Sequence, residues 1–256
     1  MTDDEGFTPS TLQIRDLTVV VLDSRPDAQP LEKAFVLVHG LGVSSLYFRE
    51  LARHLRPHAR VVTVDLPGFG RAATPERTLR IASFALVLNE TIERLGLADA
   101  VLVGHSMGVQ VVVEALRRRP SIATAAVLIG PVVNGAERRA PTVVRRFLQA
   151  AAKETPASAW PSVRAWLSCG PRWFIDTFPA MLAYPLEERI AEVRNDLALV
   201  AGEYDRLAPG PWLEILRDLA GGERVTVDIV PGASHQVMVT HPQRVVSACL
   251  DIAGLT

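Results

Sequence analysis

A serine lies between two glycines where a predicted strand gives way to a predicted helix. The segment Gly104-His105-Ser106-Met107-Gly108 follows the apolar run AVLV and precedes the apolar helical run VQVVVEAL. A serine in a sharp strand-to-helix turn presents its hydroxyl away from the chain, and glycines nearby remove side chains that would clash. The spacing therefore favours Ser106 as a nucleophile over the alternative, an ordinary serine cap of a helix.

Attack by a serine on a carbonyl carbon also needs two N–H donors for the oxyanion. The backbone N–H of Met107, directly after Ser106, is the first candidate. The second is expected after another predicted strand, FVLV, which runs into HGLG at 39–42. Glycines on both sides of Leu41 let its N–H turn inward, so the amides of Leu41 and Met107 form the predicted oxyanion hole.

The serine further needs a base, and the base needs a carboxylate that orients it. His235 is favoured as the base because it lies in a loop after the last predicted strand, and loops at the carboxyl ends of parallel strands carry the sites of such sheets. Asp205, three residues after Gly202, is the favoured acid, with Glu203 as the close alternative. Of the other histidines, His241 is interpreted as the start of the last helix, and the rest as residues that brace loops or lie on the surface: His39, His54, His58 and His105.

The elements that must position these residues alternate along the chain. Near-continuous apolar runs, typical of strands buried on both faces, occupy 34–38, 60–64, 100–103, 125–129, 197–201 and 225–230. Helical spacing occupies 44–56, 79–95, 107–119, 211–220 and 242–253. One or two edge strands are expected within 11–22. The alternation predicts an α/β protein with a mostly parallel sheet covered by helices on both faces.

One interval departs from this rhythm, because roughly 70 residues separate the runs at 125–129 and 197–201, more than a crossover needs. We interpret 132–185 as a small helical cap inserted into a core formed by 1–131 and 186–256. Three aromatic residues of this insertion, Trp166, Trp173 and Phe178, are predicted to bind substrate; the alternative is that such aromatics only join cap to core.

Composition excludes several classes of protein. The 27 basic and 28 acidic residues give a net charge of −1, so nothing favours nucleic acid or an anionic membrane as a partner. The two cysteines are too few for a disulfide scaffold or a zinc site, and we expect no metal and no cofactor. A polar N-terminal segment and the absence of a long apolar run predict a cytoplasmic protein. The run Arg117-Arg118-Arg119 is interpreted as a solvated helix end.

Five motifs in order resemble those of the α/β-hydrolase family, from about residue 30 to the C-terminus. They are HGLG (39–42), DLPGFG (65–70), GHSMG (104–108), GEYDRLAP (202–209) and PGASH (231–235). The chain is similar to the small-cap branch, which includes esterases, meta-cleavage-product hydrolases and haloperoxidase-like enzymes. This resemblance implies an eight-stranded-type sheet flanked by helices, with the cap after the sixth strand. Gln236 departs from the pattern, since many relatives carry an aromatic or apolar residue there.

The residues and the resemblance together predict a serine hydrolase that cleaves a small, largely apolar carboxylic ester through an acyl-enzyme. One alternative is hydrolysis of a carbon–carbon bond in a vinylogous diketone acid, whose carboxylate could meet arginines of the insertion: Arg145, Arg146, Arg164 or Arg172. Another is a ligand-sensing homologue with slow turnover. Each predicts a small-molecule partner, and oligomeric state stays open.

Overall fold

The computed structural model describes residues 6–27, 32–151 and 170–256. The strands in these ranges are β1 (Thr8–Ile14), β2 (Leu17–Asp23), β3 (Ala34–Val38), β4 (Arg60–Asp65), β5 (Ala100–His105), β6 (Ala125–Ile129), β7 (Asp196–Gly202) and β8 (Val225–Val230). They form one eight-stranded sheet in the order β1-β2-β4-β3-β5-β6-β7-β8. The pairs β1–β2 and β2–β4 are antiparallel, whereas every pair from β4 to β8 is parallel. The predicted α/β architecture is therefore confirmed.

The central strands are buried on both faces, as their apolar sequences predict. Every residue of β3, β4, β5 and β6 is buried. Alternate side chains of β3 enter two separate cores: Val36 and Val38 pack on one face, and Phe35 and Leu37 on the other. Because the central strands are packed on both faces, their positions are fixed, and so are the positions of the loops that follow their carboxyl ends.

The helices cover the two faces. In the described ranges they are α1 (Arg49–Leu55), α2 (Ile81–Arg94), α3 (Met107–Arg118), α4 (Ala140–Ala151), α5 (Pro171–Ala183), α6 (Leu186–Ile190), α7 (Gly210–Leu219), α8 (Val237–Thr240) and α9 (Pro242–Ala253), with short 3₁₀ helices at Ser45–Phe48, Pro120–Ile122 and Gly135–Glu137. Helices α2, α3, α5, α6 and α7 contribute to the core that contains Val36 and Val38. Helices α1, α8 and α9 contribute to the core that contains Phe35 and Leu37.

The interval between β6 and β7 holds helices α4, α5 and α6. Residues 152–169 of the predicted cap lie outside the described residues, and the division into core and cap stays a prediction. The described helices do contact loops at the carboxyl edge of the sheet. Trp173 on α5 packs against Phe69 after β4, with ring centroids 6.3 Å apart. The hydroxyl of Ser234, after β8, donates to the carbonyl of Ala150 on α4 at 3.1 Å.

The arginine run at the end of α3 is largely exposed, as the predicted solvated helix end implies, and it also forms ion pairs. Arg117 donates to both carboxylate oxygens of Glu114 at 3.0 Å, and Nε of Arg118 donates to the same carboxylate at 2.5 Å. Arg119 pairs with Glu93 at 2.9 Å. The Glu114 side chain that Arg117 and Arg118 bind is only 4% exposed. A buried carboxylate must be paired, and the nearest cations are one helical turn away.

Candidate active site

The backbone at Ser106 is strained. Its φ of 56° and ψ of −119° place it outside the regions that non-glycine residues ordinarily occupy. The residue stands between the last residue of β5 and the first residue of α3. Its N–H donates to the carbonyl of Ile129 on β6 at 2.9 Å, and its own carbonyl accepts from the N–H of Val109 at 3.0 Å. These hydrogen bonds hold Ser106 in a conformation that it would not adopt alone.

Glycines make this turn sterically possible. A Cβ at Gly108 would clash with the carbonyl oxygen of Val38, and a Cβ at Gly104 would lie 2.7 Å from the carbonyl oxygen of Gly108. A Cβ at Gly40 would lie 2.9 Å from Cβ of Ser106. The loop after β3 and the turn after β5 are therefore in direct contact at Ser106.

The two amides predicted to hold an oxyanion both adjoin Ser106. Met107 is the first residue of α3, so its N–H lies at the helix end where no intrahelical acceptor exists. Leu41 follows Gly40, which contacts Ser106, and precedes Gly42, whose φ of 75° is accessible to glycine at little cost. Their position next to Ser106 agrees with the geometry that the predicted role needs, and the role itself stays a proposal.

Asp205 and His235 are hydrogen-bonded partners. Nδ1 of His235 lies 2.8 Å from Oδ2 of Asp205, and both residues are buried. Oδ1 of Asp205 accepts from the N–H groups of Leu207 at 2.9 Å and Ala208 at 3.1 Å. Since the carboxylate accepts the proton on Nδ1, Nε2 of a neutral His235 is the ring nitrogen that carries the acceptor lone pair.

Gly130 joins this pair to the serine turn. It directly follows Ile129, the residue that accepts the N–H of Ser106. A Cβ at Gly130 would lie 3.0 Å from Cε1 of His235 and 3.2 Å from Oδ2 of Asp205. Gly130 was not singled out in the sequence, although a glycine directly after an apolar strand was the available signal. The end of β6 thus brings the three predicted residues to one place.

Glu203, the alternative acid, has a different partner. Its side chain is exposed, and Oε2 accepts from the N–H of Gly232 at 2.8 Å. Gly232 lies in the loop between β8 and His235, so Glu203 helps to hold that loop. The carboxylate that reaches the imidazole of His235 is that of Asp205.

His105 is a neighbour of His235 that the sequence does not reveal. The two imidazole centroids are 4.8 Å apart, and Nε2 of His105 donates to the carbonyl of His235 at 3.1 Å. Burial lowers the pKa of His105 well below its usual value, and repulsion from a protonated His235 acts in the same direction. His105 is consequently neutral and fixes the backbone of His235. No sequence pattern joins two residues 130 positions apart.

His39 connects the loops after β3 and β4. The N–H of Leu66 donates to Nε2 of His39 at 3.1 Å, so the ring proton is on Nδ1, which donates to the carbonyl of Gly40 at 2.7 Å. Burial lowers the pKa of His39, which agrees with a neutral ring. Asp65, the last residue of β4, accepts N–H groups from Ser45 and Arg71. These contacts brace the loop that carries Leu41.

The aromatic residues of the insertion have different surroundings. Trp173 is 5% exposed and packs in the core beside Phe69, with Nε1 so close to Gly68 that a Cβ there would clash. Phe178 is half-buried and stacks on Phe174, with centroids 6.2 Å apart. Trp166 lies outside the described residues. Their predicted contact with substrate stays a prediction.

In residues 6–27, 32–151 and 170–256 no three His, Cys, Asp or Glu side chains are grouped so that they could hold a metal ion. The same part of the chain has no helix whose length and apolar character would let it cross a membrane.

Cys249 is a buried free thiol whose pKa is raised by burial, and it lies in the core on the side of α1 and α9.

The parallel sheet, the strained serine turn and the acid–histidine pair together define an α/β protein with a hydrolase-type arrangement. A model of the alpha/beta hydrolase family matches residues 35–248. The chain belongs to the alpha/beta hydrolase family.

Among curated proteins, the chain is 27% identical to a monoacylglycerol lipase of Mycolicibacterium smegmatis over 244 residues, 86% of this chain and 87% of the lipase. Two further curated proteins, from Mycobacterium phage D29 and Bacillus subtilis, match over only 34% and 37% of their own lengths. Among solved structures, a serine hydrolase involved in carbazole degradation superposes with a TM-score of 0.80 at 19% identity, covering 98% of this chain and 100% of that one. An esterase from Exiguobacterium antarcticum gives 0.79 at 16% identity, covering 96% and 100%. At these identities the two structures show a shared fold, which agrees with the resemblance to the small-cap branch.

Proposed function

We propose that the chain is a serine hydrolase that cleaves a small, largely apolar carboxylic ester through an acyl-enzyme. Ser106 is the nucleophile, His235 the general base and acid, and Asp205 the carboxylate that orients His235. The observation that carries the proposal is the strained backbone of Ser106, whose N–H donates to Ile129 at the end of β6. The hydrogen-bonded pair of Asp205 and His235 adjoins the next residue, Gly130. Strain of this kind persists only where the surroundings enforce it, and it is concentrated at functional sites.

In the proposed reaction Nε2 of His235 takes the proton of the Ser106 hydroxyl as the oxygen attacks the ester carbonyl. The carbonyl oxygen becomes an oxyanion that accepts hydrogen bonds from the N–H groups of Leu41 and Met107. The tetrahedral intermediate collapses, the C–O bond to the alcohol breaks, and His235 gives its proton to the leaving oxygen. A water molecule, deprotonated by His235, then attacks the acyl-enzyme. Breakage of the bond to Ser106 releases the acid and restores the serine hydroxyl.

The electrostatics around His235 support this cycle. Asp205 is the buried carboxylate in contact with the ring, so it stabilises the imidazolium that forms in each half of the reaction. The ring of His105 lies close to that of His235 at a tilted angle, but its lowered pKa keeps it neutral. A protonated His105 would repel the imidazolium at a centroid distance of 4.8 Å.

Similarity to proteins named monoacylglycerol lipase and esterase supports ester hydrolysis in preference to the other chemistries. Carbon–carbon hydrolysis of a diketone acid would need a cation for the substrate carboxylate. Arg145 and Arg172 are exposed, Arg146 pairs with Glu137, and Arg164 lies outside the described residues. No observation favours the ligand-sensing alternative. A cytoplasmic location stays a prediction of the sequence.

The test is hydrolysis of p-nitrophenyl butyrate by Ser106→Ala. We expect kcat/KM to fall by about a thousandfold or more with the fold intact, since deletion of a catalytic serine has effects of this order. Ser121→Ala, which changes an exposed serine in a 3₁₀ helix, is the matched control and should retain full activity. If Ser106→Ala keeps more than about a tenth of the wild-type rate, Ser106 is not the nucleophile.

A further inference from the structure

A cavity of about 860 Å³ lies between the start of α2, the end of α3 and helices α5 and α6. Its volume is in the range of pockets that hold small organic ligands, roughly 300–1,000 Å³. None of its lining residues is Ser106, Asp205, His235, Leu41 or Met107. It is therefore separate from the candidate active site.

The lining of the cavity combines apolar residues with cationic ones. The apolar lining includes Leu79, Ile81, Pro179, Ala180 and Ala183. The charged lining residues are Arg80, Arg117, Arg118 and Arg189 against Glu114 and Asp176. Cations thus exceed anions, although the chain as a whole carries a net charge of −1.

Glu114 cannot neutralise these arginines any further. Its carboxylate already accepts from Arg117, from Nε of Arg118 and from the hydroxyl of Tyr184 at 3.1 Å. Burial acts to raise the pKa of Glu114, but the hydrogen bonds and charges of Arg117 and Arg118 together lower it, so the group is ionised. It is a saturated acceptor and does not repel a second anion as an unpaired carboxylate would.

Two guanidinium groups keep donors for a ligand. Within the described ranges, no side-chain hydrogen bond or ion pair involves Arg80, and Arg118 uses only Nε for Glu114. Arg80 also directly precedes the first residue of α2, a 14-residue helix. The first N–H groups of a helix have no acceptor within the helix. A planar guanidinium matches the two oxygens of a carboxylate better than it matches any neutral group.

We propose that this cavity binds a carboxylate with an apolar chain, such as a medium-chain fatty acid. The carboxylate pairs with Arg80 and the free donors of Arg118, and the chain lies against the apolar wall formed by α5 and the start of α2. The site is a binding site only, and it does not depend on the proposed ester hydrolysis.

The test is calorimetric titration of the Ser106→Ala protein with sodium decanoate and, separately, with decanol. We expect decanoate to bind, and we expect the affinity for decanol to be lower by about tenfold or more, because only the acid pairs with the arginines. Arg80→Gln should weaken decanoate binding by about tenfold without changing the melting temperature. Arg49→Gln is the matched control, since Arg49 is an exposed arginine at the start of α1, on the opposite face of the sheet.

A second variant fills the space instead of removing charge. Ala183→Trp places a large side chain on an exposed position of the wall, and it should abolish binding while the protein stays folded. Decanol binding as tight as decanoate binding, or decanoate binding unaffected by both Arg80→Gln and Ala183→Trp, would overturn the proposal. Loss of esterase activity in Ser106→Ala does not bear on this result, so failure of one proposal is distinguishable from failure of the other.

Discussion

Replacement of Asp205 by asparagine changes one atom and has a consequence that the structure makes definite. Oδ1 of Asp205 accepts two backbone N–H groups, from Leu207 and Ala208. An asparagine must keep its carbonyl oxygen at that position, because an NH₂ group cannot accept from an N–H. Its NH₂ group then faces Nδ1 of His235, which must become the acceptor. The ring proton moves to Nε2, the nitrogen that is proposed to take the proton of Ser106.

The expected loss follows from this wrong tautomer. A histidine with its proton on Nε2 cannot act as base, and the developing imidazolium also loses its carboxylate partner. Losses for such a change in a catalytic triad reach about ten-thousandfold in kcat. That corresponds to about 5 kcal/mol of transition-state free energy. The two hydrogen bonds to Oδ1 remain, so the free energy of unfolding should change by only about 1–3 kcal/mol.

The assay is kcat/KM for p-nitrophenyl butyrate together with thermal unfolding, for Asp205→Asn and for Glu203→Gln. Glu203 is the matched control because it is the neighbouring acid, and it bonds only the exposed N–H of Gly232. We expect Glu203→Gln to lose less than about tenfold, since a neutral amide oxygen can still accept that hydrogen bond. Equal losses in the two variants, or a larger loss in Glu203→Gln, would refute the assignment of Asp205.

Four further predictions concern packing, substrate preference and protonation. Gly108→Ala should fail to fold or lose nearly all activity, because its Cβ would clash with the Val38 carbonyl, and circular dichroism with an activity measurement checks this. Trp173→Ala should cost about 3–5 kcal/mol of stability and lower the melting temperature by about 6 °C or more. Phe178→Ala should instead shift the preference between butyrate and octanoate esters with little change in melting temperature. His105 has a lowered pKa when folded, so the unfolded chain binds more protons below about pH 6.5, and stability should fall by up to about 1.4 kcal/mol per pH unit as the pH drops. His105→Asn should flatten that slope in urea titrations at pH 5 and 7, and an unchanged slope would contradict the neutral His105.

The strands could be predicted because burial on both faces leaves a nearly uninterrupted apolar run. The last helix, α9 at Pro242–Ala253, has the bounds that its spacing predicts. The segment predicted as one helix at 44–56 is instead a 3₁₀ helix, Ser45–Phe48, followed by α1. Apolar spacing does not distinguish those two geometries over a single turn.

The candidate active site, like the fold, could be predicted only in part from the sequence. The turn at Ser106 is visible in the sequence because its glycines have a steric cause that the structure bears out. The choice between Asp205 and Glu203 as the partner of His235 depends on the path of a loop. No local sequence pattern predicts that path. The pairing of Glu114 with Arg117 and Arg118 could have been predicted, because residues three and four apart on a helix are neighbours.

Covalent labelling tests most directly whether Ser106 is the nucleophile. The purified protein is treated with a fluorophosphonate, and the modified peptide is identified by tandem mass spectrometry, with Ser106→Ala and Asp205→Asn treated in parallel. We expect one phosphonyl group on Ser106, no labelling of Ser106→Ala and strongly slowed labelling of Asp205→Asn. Labelling of another residue, or labelling that persists in Ser106→Ala at the wild-type rate, would contradict this assignment.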